Sequence, residues 1–327
     1  MTLLPDITGL RRPSRWRHVP FWLAGTLLAL ALLAPLLVND VPLAARVAGH
    51  WSFPAVADLF GKAPTGPEDL SWKQWWARLP ADADDLVVMP PWPYGPEETN
   101  NALFGAPPTA AHPFGNDDTG RDLLARIVHG AHTAVLIGGT AVLLAALLGV
   151  AIGAVAGLRR GLVDMLVQRV IEVFLCFPSL LFLLFAAAFF GDSQLGLVLV
   201  MAGLFWTSFA RILRGELLSL RERDYVQVAR SLGVRELRLV THHLLPQVRS
   251  QIGVTAAFAM ANAVVAEATL SFLGLGPGAL TSSWGTLLQQ GREHAHLGTW
   301  HLWLFPALAI VGFVVLCHVL ADRLRQS

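Results

Sequence analysis

The sequence predicts an all-helical integral membrane protein with six transmembrane helices and a long loop outside the bilayer between the first two. Three observations predict this class. The 327-residue chain is 54% hydrophobic and only 14% charged, with mean hydropathy +0.53, a balance that a water-soluble domain of this length does not need. Six stretches approach the length that a helix needs to cross a bilayer: Val19 to Val38, His132 to Gly157, Ile171 to Phe190, Leu195 to Leu213, Ser250 to Leu273 and Trp300 to Leu320. A hydrocarbon core of about 30 Å takes roughly 20 apolar residues. Finally, the arginines fall on alternate sides of these stretches, as the positive-inside rule requires.

The opening "MTLLPDITGLRRPSRWRHVP" is basic and precedes an apolar run, as in a signal peptide. Phe21 to Val38 is long for a signal core, however, and "VND" is a poor small-residue cleavage site, so the run reads as a retained first span. Arg11, Arg12, Arg15 and Arg17 precede it, and Arg159, Arg160 and Arg169 follow the second span. Eight more arginines run from Arg211 to Arg249 inclusive, and Arg323 and Arg325 close the chain. This pattern places residues 1–18, both termini and segment 214–249 in the cytoplasm, and residues 39–131 outside. The outer region is rich in Pro, Gly and Trp. Its "SWKQWWARLP" places aromatic rings at headgroup level or against another protein, and the headgroup belt is the simpler reading. "GDSQLG" is a tight turn between the third and fourth spans, and Pro178 a kink near the start of the third, beside Glu172 as an interfacial charge.

The cytoplasmic stretch "DYVQVARSLGVRELRLVTHHLLPQV" interrupts this apolar pattern. Tyr225, Val228, Ala229 and Leu232 recur at helical spacing as one narrow stripe. Asp224 reads as an N-cap, with Gln227 three residues on completing a capping box. Gly233 accepts positive φ and turns the chain. Leu237, Val240 and Leu244 form a second stripe, which Pro246 ends. So polar a hairpin has no core of its own, which leaves an inner-leaflet resting place or a protein partner.

The spacing Gln227, Val228, Ala229, then Gly233, then His243, Leu245, Pro246 resembles the "EAA" loop of ABC importer permeases: EAA, three residues, G, nine residues, I, one residue, LP. "AHPFGNDDTGRDLLARIVHGAHTAVLIG" and "AEATLSFLGLGPGALTSSWGTLLQQGR" are similar to the dipeptide, oligopeptide and nickel permease family, second-subunit type. "NDVPLAARVAGHWSFP" and the Trp-containing insert resemble, more narrowly, permeases of microcin C and oligopeptide importers. Gln227, Val228 and His243 depart from the usual Glu, Ala and Ile. The resemblance implies a type I ABC importer permease fold, with a periplasmic insert at 39–131 and a permease domain at 132–327 within the bacterial inner membrane. It also implies a homologous permease as pairing partner, two ATPase subunits that consume the ATP, and a periplasmic substrate-binding protein. Asp224, Tyr225, Gln227, Val228, Ala229, Ser231, Leu232, Gly233, His243, Leu245 and Pro246 are then the ATPase-coupling residues.

Glu267, in "NAVVAEATLSFLGLG", is an ionisable group inside an apolar span. It reads either as a pathway or gate residue or as a structural carboxylate capped by Ser271 and the following glycines. An ion-coupled secondary transporter working through Glu267 is the alternative function. Asp117, Arg121 and Asp122 in "GNDDTGRDLLARIVHG" suit local pairing and capping or contact with an external protein, and the amphipathic helix that follows uses Leu123, Leu124, Ile127 and Val128. His294, His296 and His301 lack the spacing and companions of a metal site and read as surface or interfacial histidines. Cys176 and Cys317 lie in apolar runs, where a disulfide framework is not expected. No catalytic constellation is visible. The two lysines, Lys62 and Lys73, stand outside any GK[ST] phosphate loop, so ATP would be hydrolysed by separate subunits. No cofactor, metal or nucleic acid is implied.

Overall fold

Apolar runs of this length fold as helices because the bilayer offers backbone groups no other hydrogen-bond partners. A computed structural model describes residues 19–60, 66–67, 70–78, 85–159, 161–191, 193–234, 236–276, 278 and 281–326. The basic N-terminal arginines, Lys62, Arg160 and the Leu237 side chain lie outside the described residues.

The first apolar run is not one continuous helix. It folds as α1 (Val19–Leu32) and α2 (Ala34–Leu37), because Pro35 has no amide to offer the Ala31 carbonyl one turn back. His132 Nδ1 donates to that carbonyl instead at 2.8 Å, and His129 Nε2 donates to Val38 O at 2.7 Å.

The region between the first two apolar runs corrects the all-helical expectation. β1 (Ala44–Val47), β2 (His50–Ser52) and, after α3 (Pro54–Asp58) and α4 (Trp72–Arg78), β3 (Leu86–Val88) form an antiparallel sheet of order β2-β1-β3. Trp72 and Trp75 are buried, not membrane-facing, and pack edge to face at 5.9 Å over Ala45 and its neighbours. A subdomain this small needs large aromatics for a core, and of the tryptophans in its described helices and strands Trp72 and Trp75 are buried while Trp51 and Trp76 are exposed. Trp92 is half-buried, its indole N–H donating to Asp122 at 3.1 Å.

The expected amphipathic helix and the second span merge into α5 (Leu123–Leu158), 36 residues long, with Asp122 as N-cap accepting from the Ala125 amide at 2.7 Å. The third apolar run is broken: α6 (Leu162–Cys176) and α7 (Ser179–Phe190) meet at 82°, because Phe177 is extended ahead of Pro178. Glu172 lies well inside α6 and pairs with Arg169 at 2.7 Å. Then come α8 (Gln194–Arg221), α9 (Asp224–Ser231), α10 (Glu236–Leu239), α11 (Arg249–Phe272), α12 (Trp284–Glu293) and α13 (His301–Arg325). Among the described residues, α5, α8, α11 and α13 are long and apolar enough to cross a membrane, and α6 with α7 adds a fifth if the bent pair is one span. Six continuous runs in the sequence thus become four long helices and two interrupted segments. Cys176 and Cys317 are both free thiols.

α5 and α8 form the most extensive helix pair. Gly149, Gly153 and Gly157 of α5, one turn apart, lie against Trp206, Phe209, Ala210 and Leu217 of α8. A Cβ on Gly153 would stand 2.6 Å from the Ala210 carbonyl oxygen, and one on Gly149 2.5 Å from the Phe209 Cβ. Small residues let helix backbones meet this closely where lipid supplies no hydrophobic drive. Gly153→Leu is expected to lower stability by about 1–3 kcal/mol through overpacking, read as a fall in the thermal unfolding midpoint in detergent. Gly139→Leu, where nothing lies within 4 Å of the added carbon, should leave that midpoint unchanged.

Candidate functional site

Below the α5–α8 seam, the Arg221 guanidinium donates to the Gly157 and Leu158 carbonyls at 2.8 and 2.5 Å. A cation there caps the end of α5 and complements its dipole. The chain then turns into α9, which has two apolar faces. Val226 is fully buried, packing with Leu213 and Leu217 of α8 and with Leu239, Leu244 and Val248 beyond, while Ala229 packs beside it. Tyr225, Val228 and Leu232 face outward at 43%, 56% and 78% exposure. The sequence pattern placed Ala229 with the outward stripe and missed Val226, although Val226 and Ala229, three apart, carried the signal of a second face.

Gly233 has φ +80°. The Val234 amide donates to Ala229 O at 3.2 Å, and both side chains rest on the same core. This is a Schellman closure, in which a positive-φ residue lets the chain fold back on the last turn. The capping box does not form as expected. Asp224 is already helical, and the Gln227 amide group donates to Glu222 O at 3.4 Å. Ser231 Oγ bonds Val228 O at 2.8 Å, and Tyr225 Oη donates to Gln247 Oε1 at 3.0 Å. Beyond α10 the second arm widens into a π turn over Val240–Leu244, with the Leu245 amide reaching Val240 O at 2.8 Å. His243 belongs to this turn, its side chain outside the described ones. Leu245 is half-buried on the shared core and Pro246 is exposed. The hairpin is thus fastened to the bundle by one face and open on the other.

Glu267 is elsewhere, at the crossing of α11 and α12, and is 1% exposed. Ser271 Oγ donates to its Oε1 at 2.6 Å, and the Ser283 hydroxyl is a second partner. Ser283 is also the N-cap of α12, with its Oγ accepting from the Thr286 amide at 3.2 Å. Gly285 permits the close crossing, since a Cβ there would lie 2.6 Å from Ser271 Cβ.

At the outer end, Asp117 pairs with Arg121 at 2.7 Å and with buried Arg126 at 2.5 Å, and Arg126 also donates to Gln290 Oε1 at 2.6 Å. Burial alone would raise the Asp117 carboxyl, but Arg126, Arg121 and the Thr119 and Arg121 amides outweigh it and hold it below its ordinary value. The predicted local pairing is present. His301 is buried, contrary to the surface reading, because α13 begins beneath this loop and its Nε2 meets Asn116 O at 3.2 Å. Among the described residues, no group of three or more His, Cys, Asp or Glu side chains is placed to hold a metal.

Glu267→Leu is expected to leave the Ser271 and Ser283 hydroxyls without their acceptor and to destabilise by about 1–3 kcal/mol. Glu267→Gln keeps an oxygen at Oε1 and should retain most of the thermal midpoint in detergent.

Residues 149–327 match the family described as the binding-protein-dependent transport system inner membrane component. A putative peptide transport system permease protein of Brucella suis is 37% identical over 242 residues, covering 73% of this chain and 81% of the relative. The dipeptide transport system permease protein of Alkalihalophilus pseudofirmus is 34% identical over 234 residues, 72% and 76% of the two chains. The oligopeptide transport system permease protein of Haemophilus influenzae is 31% identical over 246 residues, 74% and 79%. The ion-coupled reading of Glu267 finds no support in these matches. Members of such a family are the non-catalytic membrane parts of ABC importers, which work with ATPase and binding-protein partners. With more than half its length matched and with its long apolar helices, this chain belongs to the family of binding-protein-dependent transport system inner membrane components.

Proposed function

We propose that this chain is one of two homologous permeases that together form the inner-membrane pathway of an ATP-driven importer for oligopeptides or peptide-like compounds. The family and the peptide-transport names of its relatives support this reading. On this reading the chain crosses the membrane six times, with α1–α2 and α6–α7 each completing one passage, and both termini lie in the cytoplasm. Two ATPase subunits sit beneath, and a periplasmic binding protein delivers cargo from above. The α9–Gly233–α10 hairpin docks in a cleft of an ATPase subunit.

The observation that carries this reading is the division of α9 into two faces. Val226 is sealed into the bundle while Tyr225, Val228 and Leu232 stay open. A helix fastened on one side and apolar on the other suits helix-in-groove recognition and transmission of a rigid displacement. Asp224, Gln227 and Ser231 flank the open stripe and give it a polar rim. Glu267, enclosed between α11 and α12, serves on this reading as a structural carboxylate.

Gly233→Val tests the docking role. An added Cβ meets nothing within 4 Å, so the cost is confined to a β-branched residue at positive φ, where L residues lose roughly 1–2 kcal/mol. Peptide uptake in cells should fall steeply while the amount of protein in the membrane stays at the wild-type level. Wild-type uptake in that variant contradicts the reading.

A further inference from the structure

The outer subdomain lies ahead of the matched family region, and its sheet has one covered face and one bare face. Ala45 pairs with Ser52 and Val87, and this row lies over the Trp72–Trp75 core. Side chains alternate along a strand, so Arg46 with its partners Trp51 and Leu86, and Val88 opposite Ala44, occupy the other face. All four are exposed, Trp51 at 57% and Leu86 at 50%. The bare surface continues past β2. Phe53 follows Trp51 by two residues, and Phe53 at the start of α3, Val56 within it and Phe60 two residues beyond its end are all exposed, Phe60 at 78%. The opposite side of α3, Pro54 and Ala55, is buried.

The position of this surface identifies what covers it. Asn39 Nδ2 lies 3.2 Å from Pro35 O in α2 and 2.9 Å from Asp58 Oδ2 at the end of α3. One side chain therefore ties the end of α3 to the end of the first apolar segment. Phe60 is two residues beyond that tie. Aromatic side chains with a basic residue, Arg46, at that level match the chemistry of the lipid headgroup zone, where rings sit at the acyl boundary and cations meet phosphates.

We propose that the subdomain rests on the membrane leaflet where α2 ends, with Phe60, Val56 and Phe53 dipping to the acyl boundary and Trp51 and Arg46 at headgroup level. The inference requires only that α1–α2 lie in a bilayer, so it stands apart from the transport reading above. It also gives the tryptophan-rich loop a membrane contact different from the one expected, since Trp72 and Trp75 of α4 form the subdomain's core while Trp51 of β2 and the phenylalanines flanking α3 face outward.

The test uses the full chain with Cys176→Ala and Cys317→Ala, carrying one spin label at Phe60→Cys or Glu97→Cys. The labelled protein is placed in nanodiscs of phosphatidylethanolamine and phosphatidylglycerol. The label at position 60 should collide with a water-soluble nickel chelate roughly tenfold less often than the label at position 97, and more often with oxygen, as at an acyl boundary. Equal aqueous access at both positions overturns the proposal. A label at position 60 shielded from both nickel and oxygen means that protein, either another part of this chain or a second copy of it, covers the patch, and overturns it as well. Position 60 is exposed, so loss of folding is not a competing cause, and the unfolding midpoint of the labelled chain verifies this.

Discussion

The rest of the structure depends on the backbone-to-backbone contact of α5 with α8 through Gly149, Gly153 and Gly157. In a bilayer there is little hydrophobic gain in pressing two apolar helices together, so close dispersion contact has to hold them. The seam does more than join two spans. Val150, Ala154 and Leu158 on the same helix pack on the core that holds Val226, Leu239 and Leu244. The hairpin core is therefore the lower end of the α5–α8 pair, and a push on α9 is a push on both helices. Arg221, bonded to the last carbonyls of α5, ties the same junction a second time.

A second constraint is that every polar group near the bilayer needs a partner. His132 takes the carbonyl that Pro35 leaves open, Ser271 and Ser283 meet Glu267, and Asp117 and Gln290 meet Arg126. Each of these joins two elements. His132 holds α5 to α1, Glu267 holds α11 to α12, and Arg126 holds α5 to α12 and to the outer turn. These side chains thus act as cross-ties between elements.

Much of this was legible in the residues. Long apolar runs became long helices, Gly233 turned the hairpin at positive φ, and Asp117, Arg121 and Asp122 paired and capped locally. What escaped has physical reasons. Hydropathy counts apolar residues but not the missing amide of Pro35 or Pro178, so two interrupted segments looked like continuous spans. Periodicity found one stripe on α9 and hid the other, since Val226 and Ala229 make a face only when α8 and the π turn supply the opposing side. Tryptophan composition alone does not separate a headgroup belt from a small core. Trp72 and Trp75 became core because a three-stranded sheet folded over them, and strands of three or four residues leave too short a pattern to read. The π turn follows from a hydrogen bond five residues back, which no residue type announces.

The central claim is that the open stripe of α9 is gripped by a separate nucleotide-hydrolysing subunit while Val226 on the other face stays in the bundle. The most direct measurement is site-specific photo-crosslinking in intact cells, with a photoreactive amino acid replacing Leu232, Val228 or Val226 in turn. The account predicts a covalent adduct with an ATPase polypeptide from positions 232 and 228 and none from 226. Adducts with lipid alone at the two outward positions would contradict it.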